Sequence, residues 1–161
     1  VFITHINEAA SQEIANMCWA LATAKVLKPQ IFAELGNAAA EKLETFNIQE
    51  LANTAWAFSR ASMRHVTLFH AYLMIFDKYP RLPFQFHAQG LANMLWAMAK
   101  QVTLGGDRAP VTSVAVMLLP ACCLASEGLK PQEFSSVLWS CAKLGFRLGD
   151  YIDADRIFHT A

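Results

Sequence analysis

The chain contains four tryptophans, and all of them occupy the same place in one recurring phrase. The phrase reads SQEIANMCWALAT at residues 11–23, IQELANTAWAFSR at 48–60, AQGLANMLWAMAK at 88–100 and PQEFSSVLWSCAK at 131–143. In every copy a Gln stands seven residues before the Trp, an Ile, Leu or Phe stands five before it, and Ala or Ser follows it. Successive tryptophans are 37, 40 and 43 residues apart. Self-similarity at such a period marks stacked repeats, in which no unit buries its apolar face alone and neighbours complete the core. The sequence therefore predicts an all-α fold without sheet, a right-handed α-solenoid of about four helix-pair repeats forming one domain over 1–161. The repeats fall at roughly 8–45, 46–85, 86–128 and 129–161, the last of them incomplete.

The second copy shows what one repeat does locally. At 100° per residue, Leu51, Ala55 and Phe58 share a face, with Ala52 and Ser59 beside it. Asn47 is suited to cap the helix, with Glu50 three residues later completing a capping box. Pro131 suits a first helical position, and Gly145 suits a C-terminal cap. These signals place the motif helices at roughly 11–24, 47–61, 87–101 and 131–144. A second helical pattern follows each of them. It covers 29–44, with Ile31, Leu35 and Ala39 at helical spacing, and then 65–79, with Leu68, Tyr72, Ile75 and Phe76 as the buried stripe. The third covers 110–126, where Pro120 is expected to kink or break the helix. The fourth covers 150–161, a short segment whose Ile152, Ile157 and Phe158 need cover from more chain or from a partner.

Each bulky Trp is followed by a small residue that allows a neighbouring helix to come close. Trp19, Trp56, Trp96 and Trp139 are accordingly expected to pack between repeats, with Trp56→Ala costing roughly 3–5 kcal/mol. Beside them the wheel gathers Gln49, Asn53 and Arg60 within about 40° of one another. The corresponding residues are Gln12, Asn16 and Thr23; Gln89, Asn93 and Lys100; and Gln132, Ser136 and Lys143. Stacking turns these positions into parallel rows of Gln, of Asn and of cations. Asn is a mediocre helix former, so its return at one position asks for a local reason. Two reasons stand open: the amides bond the adjacent repeat and lock the stack, or they face a groove where RNA is read. On the second reading Gln49, Asn53, Arg60, Gln89, Asn93, Lys100, Gln132 and Lys143 are the RNA-binding candidates.

Known catalytic and metal patterns are missing. His5, His65, His70, His87 and His159 have no ligand spacing, and Asp150, Asp153 and Asp155 lack the glycine and terminal glutamate of a calcium loop. The Gly105-Gly106-Asp107 segment reads as a turn, not a phosphate loop. No catalytic residue, metal, cofactor or small-molecule substrate is expected, and the protein is not read as an enzyme. Cys18, Cys122, Cys123 and Cys141 also lack ligand spacing and are expected as free thiols, Cys18 and Cys141 on apolar helix positions. The longest apolar run, 114–125, is too short for a membrane span. The chain opens on Val1 without a signal or transit segment, which fits either a processed protein or a fragment.

The phrase FNIQELANTAWAFSR (46–60), preceded by PQIFAELGNAAAEKLET (29–45), resembles the octotricopeptide and heptatricopeptide class of organellar helical repeats, close to dinoflagellate and other alveolate variants. The resemblance spans nearly the whole chain, sharpest in the second copy and weakest in the fourth, where Ser136 stands for Asn. It implies an RNA-binding module of RNA metabolism or translation in a mitochondrion or chloroplast, with single-stranded or ribosomal RNA as partner. Composition supports a second expectation. The net charge is zero, with 13 basic and 13 acidic residues, and 55% of residues are hydrophobic. A phosphate binder usually carries a basic excess, so these values favour a protein-interaction scaffold, an accessory subunit of a ribosome or energy-transducing complex.

Overall fold

The computed structural model describes residue 6 and residues 8–146. Among these the secondary structure is entirely helical: α1 (Ser11–Thr23), α2 (Pro29–Lys42), α3 (Ile48–Arg60), α4 (Val66–Lys78), α5 (Ala88–Thr103), α6 (Arg108–Leu124) and α7 (Pro131–Leu144). Short 3-10 turns at Leu43–Thr45, Leu82–Gln85 and Ser126–Gly128 lead into α3, α5 and α7. Helices α1, α3, α5 and α7 pack side by side as one layer, and α2, α4 and α6 form the other. This is the expected solenoid-like packing, three helix pairs followed by α7. The helix expected at 150–161 lies outside the described residues.

Every motif helix begins eight residues before its Trp, and three of the four share a start device. Glu13, Glu50 and Glu133 reach back to accept the backbone N–H of Ala10, Asn47 and Lys130 at 2.7, 2.9 and 2.8 Å. Only Asn47 returns the bond, its Oδ1 accepting from Glu50 N at 2.9 Å, so the full capping box forms where it was expected. The third copy breaks the rule: Gly90 takes the place of the glutamate, and α5 has no acidic residue in its first turn.

The ends are equally regular. Lys25, Ser62, Gly105 and Gly145 all take left-handed backbone angles, with φ of 57°, 57°, 75° and 80°. The residue after each sends its N–H back to a carbonyl five positions earlier: Val26 to Leu21, Met63 to Phe58, Gly106 to Gln101 and Phe146 to Cys141, at 2.8–2.9 Å. All four motif helices thus close with the same Schellman-type cap, two of them without the glycine that usually marks it. Helix α5 runs 16 residues against 13 for α1 and α3, which accounts for part of the longest step between tryptophans.

The core lies between the layers. Leu51, Ala55 and Phe58 of α3 are buried, as are Leu68, Tyr72, Ile75 and Phe76 of α4. Phe58 is a junction: its ring meets Phe32 of α2 edge-on at 5.2 Å and His65, at the head of α4, edge-on at 5.8 Å. The His65 ring lies so close over Gly36 that an added Cβ would collide with it. Tyr72 ties the layers together, its hydroxyl donating to the Leu51 carbonyl at 2.7 Å.

Pro120 does not interrupt α6, which is continuous from Arg108 to Leu124. The proline removes one N–H that would have bonded Val116, and both residues are exposed, so water can serve the freed carbonyl. The helix also starts earlier than its Pro110 suggested, because the Asp107 side chain accepts from Ala109 N at 3.1 Å.

Candidate functional site

The outer face of the motif layer carries parallel rows of side chains. Gln12, Gln49, Gln89 and Gln132 are exposed, one per helix, and Asn16, Asn53, Asn93 and Ser136 follow one turn later. The tryptophans come next, and Thr23, Arg60, Lys100 and Lys143 end each stripe. Gln, Asn, Trp and the terminal residue sit at i, i+4, i+7 and i+11, so one helix face presents all four.

The amides are not the lock of the stack. Among the described residues the side chains of Asn16, Asn53 and Asn93 make no hydrogen bond, so the reading in which they bond the adjacent repeat is corrected. Ser136 differs: its hydroxyl donates to Gln132 O of its own helix at 3.0 Å. The lock is built from residues that the repeat pattern did not single out. Buried Ser59 of α3 donates to the Ala97 carbonyl of α5 at 3.1 Å. Buried Gln101 donates from Nε2 to Ser59 Oγ at 3.2 Å and to Met63 O at 3.0 Å. Arg108 reaches Leu144 O at 2.9 Å. Gln101 sits in the added turn of α5, a sequence signal visible only as the lengthened spacing.

The tryptophans divide their surfaces. The small residues after them do bring helices together, since Ala57, Ala97 and Ser140 are buried. The indoles themselves lie at the margin: Trp19 is 47% and Trp139 37% exposed, while Trp56 and Trp96 are half-buried. Trp96 and Trp139 still meet between repeats, with ring centroids 6.5 Å apart and planes inclined by 33°. Lys143 Nζ stands 5.8 Å over the Trp139 ring, joining the cation row to the aromatic one.

A groove of about 790 Å³ opens among α1, α3 and α5, lined by Asn16, Trp19, Gln49, Asn53, Gln89 and Asn93 with Asn47, Ile48, Ala52, Phe86, His87 and Gly90. It brings together four of the eight candidate RNA-binding residues, Gln49, Asn53, Gln89 and Asn93. Arg60 and Lys100 lie toward the other end of their helices, and Gln132 and Lys143 are on α7, away from it. No carboxylate lines the groove. Glu50, the nearest by sequence, is occupied with the Asn47 backbone.

Elsewhere titratable groups are explained by packing. Burial pushes the Cys18 and Cys122 thiols up to about 12 and Cys141 to about 11, and none of the four cysteines is joined in a disulfide. Among the described residues no group of His, Cys, Asp or Glu is placed to hold a metal, and no helix is long and apolar enough to cross a membrane. Comparison of the chain with family models, curated proteins and solved structures gave no match.

Proposed function

We propose that the protein is a helical-repeat RNA-binding module that holds single-stranded RNA along the outer face of α1, α3, α5 and α7. The observation that carries this reading is the set of three rows in register on one surface: unbonded amides, part-exposed indoles, and the cations Arg60, Lys100 and Lys143. Sequence-tolerant single-strand binders combine these elements, aromatic faces for bases beside positive charge that follows the backbone. The resemblance of the repeat to organellar RNA-binding repeats points the same way and makes a mitochondrion or chloroplast the proposed location. The neutral net charge limits the phosphate contacts to the few cations of the row. Titration with single-stranded RNA is expected to quench the tryptophan emission, and binding that leaves this emission unchanged places the RNA elsewhere.

A second reading rests on the opposite layer. Met74 of α4 and Leu124 of α6 are 70% and 69% exposed, and Val66 at the start of α4 is exposed as well. Apolar side chains left in water on one layer suit a protein partner, as expected of an accessory subunit in a larger assembly. Met74→Glu with Leu124→Glu is expected to detach the protein from such an assembly while leaving RNA affinity intact. Retention of the double variant in the assembly counts against this reading.

A further inference from the structure

We infer that the groove among α1, α3 and α5 selects adenine, so that the preferred ligand is an adenine-rich single strand; this rests on the RNA-binding reading above. Apart from His87, the walls hold no ionisable side chain, and they are rich in primary amides. Asn16, Asn53 and Asn93 contribute side chains without hydrogen-bond partners among the described residues, and Gln49 and Gln89 stand beside them. One departure of the repeat from its own pattern is also here. Gly90 replaces the glutamate of the other three motif helices, which removes a carboxylate and a side chain from the groove wall.

A carboxamide offers a donor and an acceptor side by side. Adenine is the base that matches this pair on both of its edges, because its N6 amino group is flanked by the acceptors N1 and N7. Guanine matches a carboxamide at O6 and N1–H, but its N7 edge shows two adjacent acceptors, the pattern that Arg or Lys reads, and no Arg or Lys lines the groove. Cytosine and uracil offer a single matching edge and a smaller ring face to stack on Trp19, whose indole lines the groove and is about half exposed. The phosphates then lie outside, toward the cation row.

The test is the affinity of the whole protein for fluorescently labelled oligoadenylate, oligouridylate, oligocytidylate and a guanine-containing strand of equal length. Oligoadenylate is expected to bind roughly tenfold more tightly than the others. The double variant Asn53→Ser, Asn93→Ser is expected to lose roughly tenfold more affinity for oligoadenylate than for oligouridylate, so that the preference disappears. Serine stands at the corresponding position of α7 and bonds its own helix there, so the fold accommodates it without offering the groove an amide. Equal affinity for all strands, a preference for another base, or a preference that survives the double variant overturns the adenine assignment and leaves RNA binding standing. Failure of every strand to bind overturns both.

Discussion

Trp96 and Trp139, one repeat apart, face each other across α5 and α7 with ring centroids 6.5 Å apart. That distance lies within the range where aromatic pairs attract, yet both rings keep part of their surface open to water. The tryptophan row is therefore packing and platform at once. A double-mutant cycle with Trp96→Ala and Trp139→Ala is expected to give a coupling of about 0.5–1.5 kcal/mol in denaturant unfolding. For the partly buried Trp56, truncation to Ala is expected to cost about 1–3 kcal/mol, below the roughly 3–5 kcal/mol of a fully buried aromatic, because part of that ring stays in water.

Thr54 is fully buried in α3, and its hydroxyl has no hydrogen-bond partner among the described residues. The corresponding residues of the other motif helices are Met17, Met94 and Val137, all apolar. Thr54→Val keeps the shape and removes the unsatisfied group, so it is expected to stabilise the fold by about 1–2 kcal/mol in denaturant unfolding. An unchanged or lowered midpoint means that the hydroxyl is satisfied in solution.

His65 couples stability to pH. Its Nδ1 accepts the Leu68 N–H at 3.2 Å as the cap of α4, and its Nε2 lies 3.2 Å from the Ala33 carbonyl, so the bonded ring is neutral with the proton on Nε2. Burial holds its pKa below the ordinary 6.5 despite the opposing pull of the Ala33 and His65 backbone. The unfolded chain thus takes up a proton first as pH falls. The contribution of this group is complete above pH 6.5 and is lost as pH drops through the lower folded value. Thermal melting from neutral to acidic pH is expected to show this loss, and His65→Gln is expected to flatten the part due to the ring.

Gly90 is a second place where stability and binding are predicted to separate. Gly90→Glu restores the residue found in the other repeats and places a carboxylate within reach of the His87 N–H at the start of α5. Replacing a helical glycine and completing half of a capping box should stabilise by about 1 kcal/mol. The new Cβ would sit 3.3 Å from the Phe86 ring, a tight contact that trims the gain. The same change puts negative charge into the groove, so RNA affinity is expected to fall while the melting temperature rises. A parallel fall of both means that the glycine is there for packing alone.

Much of this architecture was legible because each repeat states it again. The tryptophan phrase located all four motif helices, and the apolar spacing of Leu68, Tyr72, Ile75 and Phe76 located the buried face of α4. Three things were hidden for physical reasons. The left-handed caps at Lys25 and Ser62 carry no glycine to announce them. The Ser59–Gln101–Met63 network depends on tertiary contact between residues about 40 positions apart, which no local pattern encodes. Pro120 looked like a break because its effect depends on which side of the helix faces water. At the site, the rows followed from helical spacing alone, whereas the unbonded state of the asparagines required knowing where their neighbours lie.

The most direct test of the account is the salt dependence of single-stranded RNA binding, measured beside a variant in which Arg60, Lys100 and Lys143 are all changed to Glu. Three phosphate contacts predict that the logarithm of the association constant falls against the logarithm of salt concentration with a slope of about −2, and that the triple variant loses binding. An affinity indifferent to salt, or a triple variant that binds RNA as the natural chain does, contradicts the placement of RNA on this face.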